Sequence, residues 1–265
     1  MTSLRRKPLA RCLTAIFALS APAAVFAATV DWKVTNCEDD VTTAVVLFTA
    51  IASFGDVIMT DVTINKSSAT SNGNQAWGGA VYTYKSVSMT NNTISERGPG
   101  GTNNAVGAYV TGGTTSAMGG GVRARGLSSS VYLNNSSITG TQATVSSTIG
   151  GPAKEGAIYA GNNLTLTNMS VVSGSASTAS GTYSIHSSGG GIFSRGSVSI
   201  NHSKVMDSSA SNVDGTSRGG GTHSEGSTTA TYAYIGNNSS AGGGAYAKNR
   251  FNSLYSIFTN NHAND

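Results

Sequence analysis

Apolar residues return along this chain at a fixed spacing, seven times over. Each unit opens with small residues, often Gly-Gly-Gly, followed by an apolar anchor. Six residues later a short alternating segment begins, and seven residues after that comes another apolar position. The anchors are Ile51, Val81, Val122, Ile158, Ile192, Thr222 and Ala245. The segments start at Val57, Val87, Val131, Leu164, Val198, Thr228 and Phe251, and close at Ile64, Ile94, Ile138, Val171, Val205, Ile235 and Phe258. Only the step from Val122 to Val131 departs from six, by three residues. Leu164-Thr165-Leu166-Thr167 and Val198-Ser199-Ile200-Asn201 alternate with the period of a strand that is apolar on one face. Helical periodicity is nearly absent beyond the first residues.

One such strand cannot bury its apolar face alone, whereas stacked copies share a continuous core. The expected fold is therefore all-β: a right-handed parallel β-helix, a single-stranded solenoid of about seven coils rising about 4.8 Å per coil. Three residues before each closing position stand Asp61, Asn91, Asn135, Asn168, His202, Tyr232 and Tyr255. Asn and Asp tolerate left-handed backbone angles, so a tight corner is expected there, with the last three copies drifting from that chemistry. The glycine clusters, such as Gly119-Gly120-Gly121 and Gly189-Gly190-Gly191, lack the strand, helix and Lys-Ser/Thr context of a phosphate loop and read as bends without room for a Cβ. Anchor spacings are 30, 41, 36, 34, 30 and 23 residues. The excess over a bare coil falls after the closing position, around 67–76, 95–117, 139–154, 173–187 and 207–217. These Ser/Thr/Gly-rich inserts are expected to project as loops from one side, where solenoids often bind partners. Residues 28–49 are expected to form an N-terminal cap or irregular first coil, and 50–265 the β-helix.

Composition changes the picture at the N-terminus. Arg5, Arg6, Lys7 and Arg11, an apolar stretch and the small residues up to Ala27 read as a secretory signal peptide over 1–27. Its apolar run is shorter than the roughly 20 residues of a membrane span, so no integral membrane domain is expected in the chain. The full chain has 16 Lys+Arg and 12 Asp+Glu; without the four basic leader residues the two balance. No basic stripe remains for a nucleic-acid partner. Cys37 alone would survive cleavage, which rules out an intramolecular disulfide and suits a buried cap residue. Charged residues are only 11% of the chain, and such a composition can signal disorder. The regular placement of Val, Ile, Leu and Phe argues against it.

Gly79-Ala80-Val81, Gly190-Gly191-Ile192 and Phe258-Thr259-Asn260-Asn261 resemble the Gly-Gly-apolar and Phe-x-x-Asn repeats of polymorphic outer-membrane proteins. More broadly, residues 50–265 resemble bacterial right-handed parallel β-helix repeat proteins, including autotransporter passengers. Val34-Thr35-Asn36-Cys37-Glu38-Asp39 is similar to the opening of exported β-helix proteins, without the Gly-Ser-Leu-Arg segment that follows it there. The resemblance implies an adhesin-like protein, extracellular or on the outer-membrane surface. An autotransporter would also carry a C-terminal membrane barrel, so a truncated passenger or an unusual end is expected here.

Candidate chemistry is thin. Asp39, Asp40, Asp56 and Asp61 sit in the first coils, while Glu96, Glu155, Asp207, Asp214 and Glu225 are scattered. Glycoside hydrolysis needs two placed carboxylates, and the best pair by position, Asp207 and Asp214, reads as loop solvation. His186, His202, His223 and His262 fit no metal spacing. No catalytic, cofactor-binding or metal residue is assigned, and no cofactor is expected. Arg123, Arg125, Arg195 and Arg218 flank anchors and suit contact with an acidic glycan. The function expected is non-catalytic binding of host, cell or glycan surfaces through the inserts. The alternatives are a polysaccharide lyase or glycoside hydrolase on a pectate-lyase-like β-helix, and a structural spacer or passenger fragment.

Overall fold

A computed structural model describes residues 23–26, 51–65, 68–72, 76–77, 79–95, 106–111, 117–146, 153–154, 156–180, 186–212, 216–240 and 243–263. The described residues are all-β, without a helix, in five parallel sheets. Each sheet takes one strand from each contributing repeat unit, in chain order. This arrangement is compatible with a parallel β-helix.

Three sheets enclose the core. The anchor sheet stacks Ile51–Ser53, Val81–Thr83, Val122–Ala124, Ile158–Ala160, Ile192–Ser194, Thr222–Ser224 and Ala245–Ala247, with all seven anchors in register. The alternating sheet stacks Val57–Thr60, Val87–Thr90, Val131–Asn134, Leu164–Thr167, Val198–Asn201, Thr228–Thr231 and Phe251–Leu254. Ala23–Phe26, within the stretch read as a leader, pairs with its first strand. The closing sheet runs from Thr63–Asn65 to Ile257–Thr259. Val57, Met59, Met89, Leu133, Leu164, Leu166 and Ile200 fill the interior with the anchors and closing residues. Alternation is thus turned into a one-faced wall, in which buried positions alternate with more exposed ones.

The corner residues behave as one set. Asp61, Asn91, Asn135, Asn168, His202, Tyr232 and Tyr255 all have φ between 47° and 56°. The expected drift is corrected in part: His and Tyr keep the left-handed backbone, and only the side-chain interaction changes. Asn91 Nδ2 donates to Asp61 Oδ1 (3.0 Å) and Asn135 Nδ2 to Asn91 Oδ1 (2.9 Å). Further along, the His202 and Tyr232 rings stack at 4.7 Å and Tyr232 and Tyr255 at 5.1 Å.

One closing position is corrected. Val172, not Val171, aligns with Ile138 and Val205 and is buried. Met169, 76% exposed with φ 63°, is an extra residue at that corner, so the step from Leu164 is eight.

The inserts are also corrected, because their described parts are strands rather than loops. After a second corner, at Gly140, Gly174, Asp207, Asn237 and Asn260, the chain enters an outgoing sheet that includes Val106–Thr111, Thr141–Ser146, Ala176–Ser180 and Ser209–Asn212. It comes back through a returning sheet of Ala76–Trp77, Ala117–Met118, Ala153–Lys154, His186–Ser188 and Thr216–Arg218. The two sheets pack on each other as a two-layered arm. Small side chains such as Ala143 and Ala210 lie buried in it. The glycine triplets join arm to anchor. Gly119, Gly189 and Gly219 are left-handed, and a Cβ on Gly120 would run into the carbonyls of Gln142 and Gly156. Here the structure agrees with the expected bend.

Candidate functional site: a ring-lined cleft under the arm

The outer face of the anchor sheet differs from that of the alternating sheet. All three residues are buried in the anchor strands from Val81–Thr83 to Thr222–Ser224. A strand that turns two residues toward the core turns the middle one outward, so the middle residues must be covered from outside. Those residues are Tyr82, Arg123, Tyr159, Phe193 and His223, in register from unit to unit, and the half-buried Tyr246 of Ala245–Ala247 continues them.

They form one continuous column. The Arg123 guanidinium lies 6.0 Å from the Tyr82 ring centre and 5.2 Å from that of Tyr159. Tyr159 stacks on Phe193 at 5.6 Å, Phe193 meets His223 at 4.8 Å, and His223 meets Tyr246 at 4.7 Å. Cation–π and ring contacts of this kind add to the apolar burial of each side chain. A second cluster sits beside the start of the column. Arg125 Nη1 donates to the Tyr84 hydroxyl at 2.6 Å, and its guanidinium lies 4.9 Å from that ring. Phe54, 81% exposed, stacks on Tyr84 at 5.3 Å. Burial pushes the Tyr82 phenol up to about 12.

Near its far end the column opens into a cavity of about 300 Å³. Phe193, His223 and Tyr246 line it with Ser188, Thr216 and Arg218 of the returning sheet, and with Glu225 and Lys248 just past two anchor strands. Repeat spacing explains its position. Among the described residues the returning sheet has five strands against seven in the anchor sheet, ending at Thr216–Arg218. The last interval, 23 residues, is too short for a full arm, and no returning strand lies beside Ala245–Ala247 among the described residues. The ring column therefore outruns its cover. The Arg218 guanidinium stands 5.4 Å from the Tyr246 ring centre.

The arginines flagged in the sequence part company. Arg123 is a buried member of the column, Arg125 holds Tyr84, Arg218 borders the cavity, and Arg195 is exposed one unit before Glu225 in register. Asp207 accepts from Asn237 Nδ2 at 2.9 Å as a corner residue. Asp61 and Asp56 also serve corners, Asp56 accepting from the Ser86 amide at 2.9 Å. His202 is a corner residue, His223 lies in the cavity, and His186 and His262 belong to arm strands. Cys37, Asp39, Asp40, Glu96, Glu155 and Asp214 lie outside the described residues, as do 28–49. No three of His, Cys, Asp and Glu among the described residues gather as metal ligands would. No helix among them is long and apolar enough to cross a membrane, a statement about helices and not about β-barrels.

The sequence reading missed the column and the cavity. The available signal was the residue after each anchor, which is a ring in five of seven units. Comparison with protein-family models, curated proteins and solved structures finds no match for this chain.

Proposed function

We propose that this protein is an exported, adhesin-like, non-catalytic binding protein that engages glycan or cell surfaces on the side carrying the arm. The cavity is the observation that carries this reading: an open recess with a ring floor and polar, charged walls. Apolar and aromatic lining with a few convergent polar groups is what a ligand site needs. The parallel stacking supports a single-stranded β-helix of about seven coils, right-handed because strand-to-parallel-strand crossovers almost always are. The leader-like stretch over 1–27 supports export, and the repeat resemblance supports an outer-membrane or extracellular setting like that of autotransporter passengers.

Catalysis is the second reading, since Glu225 and His223 share the cavity. Binding is preferred because Glu225 is the only carboxylate in the lining among the described residues, and glycoside hydrolysis usually takes two. A direct test is binding of the purified protein to a glycan array and to whole cells, with polysaccharide cleavage followed in parallel. Saturable binding weakened by Tyr246→Ala, without cleavage, is the expected result. Cleavage abolished by Glu225→Gln would favour the enzyme, and a folded protein that binds nothing would favour a spacer.

A further inference from the structure

We infer that the cavity at the end of the ring column takes a carboxylate-bearing pyranose, a single acidic sugar unit of a glycan. This rests on the binding reading above and names the ligand class of the same site.

The floor is made of rings: Phe193 and His223 are buried side by side at 4.8 Å, and Tyr246 continues them at 4.7 Å. Of these rings Tyr246 is the part-exposed one, so its face is open to the C–H face of a sugar ring, and an aromatic face loses little conformational entropy on binding. The rim carries Ser188 and Thr216 hydroxyls and the Glu225 carboxylate, an acceptor for sugar hydroxyls. Arg218 and Lys248 supply two exposed cations, and among the described residues no carboxylate pairs with either. The Arg218 guanidinium, held against the Tyr246 ring, presents a planar fork that matches a carboxylate.

The charge balance narrows the anion. Among the described lining residues, two cations stand against Glu225, which favours a ligand carrying one negative charge. A dianionic phosphate would meet repulsion from Glu225, and a neutral sugar would leave both cations unused. The volume, about 300 Å³, is at the low end for ligand pockets and fits one or two rings rather than a long chain. Selectivity should therefore reside in one sugar unit, with the rest of the glycan outside.

The test is titration of the purified full chain by calorimetry with three probes: methyl glucuronoside, N-acetylneuraminate and neutral methyl glucoside. At least one acid should bind about tenfold or more tightly than the neutral sugar, and which one identifies the source of the acidic unit. Arg218→Gln and Lys248→Gln should each remove most of that preference. Both side chains are exposed, so circular dichroism should be unchanged. Lys204→Gln, on an exposed lysine of the closing sheet outside the cavity, should change nothing. Equal affinity for acidic and neutral sugars, or retention of the preference in both cavity variants, would overturn the inference. Cell and array binding that survives while acidic sugars fail to compete would sink it without touching the broader reading. No cell or array binding at all would sink the broader reading.

Discussion

Thr222 and Thr228 stand where the earlier units place Val, Ile or Leu. Both are fully buried, and their hydroxyls have no partner among the described residues. An unsatisfied buried hydroxyl costs free energy that an isosteric apolar group would not. Thr222→Val and Thr228→Val should each raise stability by about 1 kcal/mol, read as a higher thermal midpoint. A lowered midpoint would mean that the hydroxyl is satisfied, for example by a buried water. Tyr82 gives a second residue-scale expectation. Its pKa in the folded protein is raised from 10.0 to about 12, chiefly by burial. Between those values the unfolded chain gives up the phenolic proton while the folded chain keeps it. The stabilisation is full below pH 10 and is lost as pH rises toward 12, by roughly 2 kcal/mol. Tyr82→Phe should remove that share of the alkaline slope in urea titrations at stepped pH, and an unchanged slope would count against the burial of this phenol. Residues of this kind were hard to read from sequence. A lone Thr or Tyr gives no sign of which face it occupies until the cover on that face is known.

At the scale of elements, legibility followed periodicity. The anchor and alternating strands repeat a rigid apolar pattern, and their registers match the sequence alignment residue for residue. The arm strands do not. Segments such as Thr141–Ser146 and Ala176–Ser180 are built mostly from small and polar residues, without the alternating Val, Leu and Ile of the core strands. Low hydrophobicity made them look like loops. The corners hid a second polar signal just inside the left-handed residues. Asn92 Oδ1 accepts from the Val62 amide at 2.7 Å while its Nδ2 donates to the Met59 carbonyl at 2.9 Å. Ser136 and Ser170 continue that column, with the Ser170 hydroxyl accepting from the Ser136 amide at 3.2 Å. The fourth unit breaks the pattern only at Met169. Its deletion joins Asn168 to Ser170, the sequence that Asn135-Ser136 has one unit earlier, and leaves Val172 facing the core. The Met169 deletion should therefore fold and keep or raise the thermal midpoint, whereas deletion of Asn135 should unfold the neighbouring strands. Unfolding on deletion of Met169 would show that the eight-residue step is required.

For the whole molecule, the decisive feature is that, among the described residues, the sheets pair each unit only with the units before and after it in sequence. Stability in such a stack is close to a sum of unit and nearest-neighbour terms, so the ends should open more readily than the middle. The structure makes that gradient steep at one end. Phe251 and Phe258 hold positions that are buried in earlier units, yet are 39% and 41% exposed, and Leu254 and Ile257 are more exposed still. In the middle, Leu164, Leu166, Ile192 and Ile200 are completely buried between neighbours on both sides. Native-state hydrogen exchange should therefore be slowest across Leu164–Thr167 and Ile192–Ser194 and fastest across Ala245–Ala247 and Ile257–Thr259. Local opening is governed by how much apolar contact each segment would lose. The cavity lies between these regimes, with Phe193 in the protected middle and Tyr246 and Lys248 in the last unit. A ligand spanning Phe193 to Tyr246 should therefore slow exchange in Ala245–Ala247 more than anywhere else, because it adds a contact that the last unit lacks. Uniform exchange along the chain would contradict the stacked arrangement. A gradient that the ligand leaves unchanged would place its binding outside the cavity.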